Sequence, residues 1–82
     1  MTEHNGLPVA GYRKQSEKNV ELVNKAKEIE ERALRHLDEL RSGGSDFDQR
    51  MVSLAVTGIQ EAFMWANRAV FQPDRVKLPE DK

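Results

Sequence analysis

The chain has 82 residues, 33% of them charged, a formal net charge of −1 and no cysteine. That is one small domain, too small to rest on a single hydrophobic core, and disulfides cannot staple it. The near-neutral charge argues against a non-specific binder of long nucleic acid, whose surface is basic, but leaves a small anionic ligand open because a few placed cations suffice for that.

Residues 1–15 read as an arm. "MTEHNGLPVAGY" carries Gly6, Pro8 and Gly11, a composition for irregular or briefly helical chain. Ser16 is a candidate N-cap, with Glu17 in the first turn. From there to Arg41, Leu22, Ala26, Ile29, Ala33, Leu37 and Leu40 recur at spacings of three or four. They predict one apolar helical stripe, which Val23 and Leu34 widen. The opposite face is Lys, Glu and Arg, with i,i+4 pairs available at Glu31–Arg35 and Glu28–Arg32. "SGGSD" then stops the helix, with Gly43 or Gly44 able to turn left-handed. Ser45 is the expected cap of the next helix, with Asp48 three residues on as a variant of the capping box. So short a turn predicts antiparallel neighbours, and residues 16–72 read as an all-α hairpin. The second helix is expected to run to about Phe71 and to close at Pro73. Residues 73–82 read as a polar, mobile tail.

That second helix has two apolar stripes. Ala55, Gly58, Ala62, Ala66 and Ala69 form a small-residue stripe. Val52, Val56, Ile59, Phe63 and Val70 form a bulky one about 100° around the axis, and Met51, Leu54 and Trp65 extend the apolar surface. One partner helix covers one stripe, and the rest would be a larger apolar patch than monomers tolerate. The expectation is an obligate homo-oligomer of hairpins, with the small stripe allowing close backbone approach and the bulky one filling a core shared between chains.

Candidate sites are few. No nucleophile–base set, metal spacing or phosphate loop is present, and His4 and His36 stand far apart. The chain does not read as an enzyme, and neither metal nor cofactor is expected. In "GYR", Tyr12 beside Arg13 either stacks on a flat base while the guanidinium pairs with phosphate, or simply pins the arm to the hairpin. Asn24 and Lys27 lie three apart on one helix face, where Lys27 can neutralise a phosphate or be an ordinary surface lysine. Thr57, Gln60 and Asn67 share one side of the second helix, with Arg68 next to it. Such groups must be solvated, paired across chains or turned to a ligand. No apolar run approaches the roughly 20 residues of a membrane span, and "MTEHNGLP" lacks a signal-peptide pattern.

"GYRKQSEKNVELVNKAK", a charged helix, a short turn and "TGIQEAFMWANRAVFQP" together resemble the phage anti-CBASS cyclic-oligonucleotide sponges. These share a hairpin domain with the anti-Thoeris sponges. The resemblance runs from about Gly11 to Pro73. It implies a homohexamer, in the host bacterial cytoplasm, that sequesters cyclic nucleotide messengers of CBASS immunity without cleaving them. It further implies a dinucleotide pocket between paired protomers, for ligands such as 3′,3′-cGAMP, where Tyr12 stacks on a base and Lys27 meets phosphate. Arg13 and Asn24 are expected to line that pocket. A separate cyclic trinucleotide pocket near the three-fold axes is expected to use Arg68, lined by Thr57 and Gln60. The alternatives are a sponge for a cyclic ADP-ribose-type signal, or a helical assembly or adaptor protein with no nucleotide ligand.

Overall fold

A computed structural model of the protein describes residues 10–11 and 13–81. Helix α1 spans Glu17–Ser42 and helix α2 spans Gln49–Phe71. A single 3₁₀ turn, Gly44–Asp46, joins them into an antiparallel hairpin. No strand occurs among the described residues. The all-helical hairpin expected from the periodicity is what forms.

Ser16 caps α1 as its residue type predicts, its hydroxyl accepting the Asn19 N–H at 3.1 Å. The cap of α2 is Asp48 and not Ser45: the Asp48 carboxylate accepts the Met51 N–H at 3.0 Å. Gly43 remains right-handed, with φ −72°, and only Gly44 takes a positive φ of 58°. The chain therefore continues through one 3₁₀ turn that absorbs Ser45 and Asp46. The extended backbone a cap requires is reached only at Asp48, with φ −71° and ψ 102°. The Gln49 amide closes the turn by donating to the carbonyls of Leu40 (3.1 Å) and Gly44 (2.8 Å).

The interface between the helices differs from the predicted stripe of α1. Val23, Leu37 and Val52 are the buried residues, while Leu22 and Ile29 are 45% and 50% exposed. The row of α1 that meets α2 is Asn19, Val23, Ala26, Glu30, Ala33, Leu37 and Leu40, each buried or half-buried. Its alternating steps of four and three are those of a helix seam. Leu22 and Ile29 lie at the rim of that seam, since adjacent residues are turned by about 100°.

On α2 the bulky stripe is the one that packs inside its own hairpin. Val52 is buried, and Val56, Ile59, Phe63 and Val70 are half-buried. The small stripe remains open: Gly58, Ala62, Ala66 and Ala69 are exposed, beside Leu54 and Trp65 at 57% and 58%. Within the chain the bulky stripe thus faces α1, and apart from Val52 its residues stay half-covered. The reason is volume: the seam of α1 offers small side chains at Ala26 and Ala33, and large ones opposite fill the gap.

The accessible surface is 7314 Å² for a 9.4 kDa chain. A compact monomer of that mass exposes about 5,000 Å². The radius of gyration is 17.8 Å, against about 12 Å for a compact domain of this length.

Candidate functional site

The site grows out of the way α2 ends. The last carbonyls of a helix have no partner within it. Gln72 turns left-handed at φ 44°, and its N–H donates to the Arg68 carbonyl at 2.7 Å. A non-glycine residue in that conformation costs on the order of 1 kcal/mol, and Pro73 prevents the helix from running on. The arm supplies the missing donors. Gln15 Nε2 donates to the Phe71 carbonyl at 2.9 Å, and Arg13 Nη1 donates to the Gln72 carbonyl at 3.2 Å.

A clasp continues outward from there. Arg13 Nε lies 3.5 Å from the Asp74 carboxylate, and the Asp74 N–H donates to the Gly11 carbonyl at 2.8 Å. Gly11 has φ +85°, and a Cβ there would run into the Asp74 carbonyl oxygen, so glycine is required on both counts. Asn19 Nδ2 donates to Gln15 Oε1 at 3.2 Å and ties the arm to the first turn of α1. The segment after Pro73 is therefore bound to the arm at Asp74 instead of hanging free.

Between arm and α2 lies a groove of about 350 Å³. Met64, Phe71 and Pro73 give it apolar walls, Arg13 and Arg68 bring two guanidinium groups, and Gln15 and Asn67 bring amides. Gln60, Met64, Asn67 and Phe71 follow one another three or four residues apart, which puts them on one side of α2. The Arg68 guanidinium lies over the Trp65 ring, 5.7 Å from its centroid, within cation–π range. Asn67 Oδ1 is buried and has no hydrogen-bond partner among the described residues. Apolar walls with cations and amides at their edges suit a flat ring carrying a negative charge.

Of the residues singled out from the sequence, Arg13, Asn67 and Arg68 come together on this groove, although the resemblance assigns the two arginines to different pockets. Thr57 and Gln60 are exposed on the same side of α2, further toward the turn, and do not line it. Asn24 and Lys27 are exposed on α1, and Lys27 has no ion pair among the described residues. Arg41 reaches Ser53 at 3.1 Å and Gln49 at 3.4 Å. Tyr12 lies outside the described residues, between Gly11 and Arg13, which the clasp holds.

Charge elsewhere is surface charge. Arg35 donates to Glu31 at 2.8 Å, and that hydrogen bond and charge raise the guanidinium pKa above its ordinary value. The second expected pair, Glu28–Arg32, is not formed among the described residues. No group of three or more His, Cys, Asp or Glu among them could hold a metal ion.

Gln15, Met64, Phe71 and Pro73 were not legible as site residues. Gln15 belongs to the arm, and only the fold sets it on α2. For Met64 and Phe71 a signal existed: their spacing puts two apolar side chains among Gln60 and Asn67, on the polar side of the helix.

A family model described as Acb2/Tad1, hairpin domain, matches residues 5–71, which span the arm and both helices. The chain belongs to this family. It is the anti-CBASS and anti-Thoeris sponge family named by the resemblance. The family implies a phage sponge for cyclic nucleotides, a protein that binds and does not catalyse. No curated protein and no solved structure matches the chain. No helix among the described residues is long and apolar enough to cross a membrane.

Proposed function

We propose that the protein sequesters cyclic di- and trinucleotide messengers of bacterial CBASS immunity, intact, as a homohexamer in the cytoplasm of the phage-infected host. The observation that carries this is the groove at the end of α2, where Arg13 and Arg68 flank apolar walls and an unpartnered amide. Guanidinium groups read phosphate, and the walls take a base.

Assembly supplies what one hairpin lacks. Gly58, Ala62, Ala66 and Ala69 are left uncovered within the chain beside exposed Leu54 and Trp65, an apolar face for a second hairpin. A two-fold contact presents every residue twice, which suits a cyclic dinucleotide with two bases and two phosphates. In this reading two Tyr12 rings cover the bases, two Lys27 ammoniums meet the phosphates, and Arg13 and Asn24 line the pocket. A three-fold junction offers three Arg68 side chains to three phosphates, with Thr57 and Gln60 beside them. Base–aromatic stacking contributes roughly 1–3 kcal/mol per base. Nanomolar retention, which competition with an immune effector demands, corresponds to about −12 kcal/mol.

Native mass spectrometry of the protein, alone and with a panel of cyclic di- and trinucleotides, tests the proposal, followed by denaturation and analysis of the released ligand. The expected result is a hexamer that takes up ligand in fixed ratio and returns it unchanged. An oligomer that ignores every cyclic nucleotide would support the adaptor reading, and altered ligand would point to catalysis.

A further inference from the structure

We propose that Asn67 is the base-reading residue of this groove and selects adenine over 6-oxopurines. The inference rests on the sponge reading above and deepens it. Asn67 sits among the groove's lining residues, and neither end of its amide has a hydrogen-bond partner among the described residues. Its Oδ1 is buried, away from the water that would otherwise satisfy it. A buried acceptor left without a donor is destabilising, and a ligand that brings an N–H completes the site.

The neighbours say which ligand. Met64, Phe71 and Pro73 form walls for a flat ring, and the Arg68 guanidinium, held over the Trp65 ring, stands at their edge for the attached phosphate. The volume, about 350 Å³, falls in the range of small-molecule sites, roughly 300–1,000 Å³. A carboxamide offers one acceptor and one donor side by side. Adenine presents the complement, an N6 amino donor next to a ring-nitrogen acceptor, and Asn to adenine is a standard bidentate pair. At the N6/N7 edge a 6-oxopurine presents two acceptors, O6 and N7, so in either orientation of the amide Oδ1 would face a lone pair. Guanidinium groups do not supply this discrimination, because phosphates are alike in both ligands. Phosphate contacts thus hold the ring, and Asn67 sorts the purines.

The test uses the full chain and two probes, cyclic triadenylate and the corresponding cyclic tri-inosine ring, in which a 6-oxo group replaces the 6-amino group. Binding is measured by isothermal titration calorimetry, with native mass recorded for every variant. The wild type should prefer the adenine ring by about 10- to 100-fold. In Asn67→Ala that ratio should collapse to near one, with the native mass unchanged. Asn67→Leu, of similar shape but without polar atoms, should behave alike and covers the case in which alanine destabilises the hairpin. Wild type that binds both rings equally, or variants that keep the preference, would overturn the assignment while leaving the sponge intact. Loss of the assembled state in both variants would overturn it in favour of a hydrogen bond between chains. Wild type that binds neither ring would overturn the underlying reading of the groove as well.

Discussion

Ala62→Glu separates the role of the small-residue face from the stability of the hairpin. Ala62 is exposed, as are Gly58, Ala66 and Ala69, and a Cβ built on Gly58 meets nothing within 4 Å. Within one chain a glutamate at 62 would remain in water, and such surface changes stay within about 0.5 kcal/mol. If this face is covered by a second hairpin, the same carboxylate is desolvated without a partner, at a cost of about 3–5 kcal/mol. That corresponds to a loss of about 150- to 5,000-fold in the association constant. Sedimentation velocity across low-micromolar concentrations would then show wild type as one large species and Ala62→Glu moving toward the 9.4 kDa chain. Gly58→Leu should do the same by bulk, since it fills the space that close helix approach needs. Ala62→Ser, small and neutral, should keep the wild-type mass. A glutamate variant that retains wild-type mass at every concentration would refute the reasoning and leave the exposed face of α2 without an account.

Other outcomes follow from the same geometry. Tyr12→Ala and Lys27→Ala should abolish cyclic dinucleotide binding, by calorimetry, while native mass stays constant; a change of oligomer would mark them as structural. Arg68→Ala should weaken cyclic trinucleotide binding selectively, and equal loss of both ligand classes would count against two separate sites. Asp48→Ala should cost about 1 kcal/mol by removing the α2 cap, seen as a lower Tm at fixed protein concentration. Ser45→Ala should change it little, and the reverse order would mean that the cap lies at Ser45 after all.

Periodicity and end signals were enough to read the two helices and where they stop. Ser16, the Gly43–Gly44 pair and Pro73 act through local backbone chemistry, which a neighbour's identity alone decides. They are why the hairpin and the end of α2 near Phe71 could be read directly. The family, too, was legible, because its motifs are local strings in a set order. The cap at Asp48 was not, since it depends on how many residues the 3₁₀ turn consumes. Tertiary packing also decided which side chains face inward. Leu22 and Val23 are adjacent apolar residues, and nothing local says which of them meets α2. Both rows run on through Ala26 and Ala33 to Leu37 and Leu40, and only the packed hairpin shows Val23 buried and Leu22 and Ile29 at the rim. The same packing turned the bulky stripe of α2 inward and left the small one open. Above all, the groove unites Arg13 and Gln15 with Met64, Asn67 and Arg68, residues some fifty positions apart. Local propensity carries no information about such a meeting. It comes from an antiparallel hairpin that returns the end of α2 to the start of α1, and from orphan carbonyls there that bind the arm.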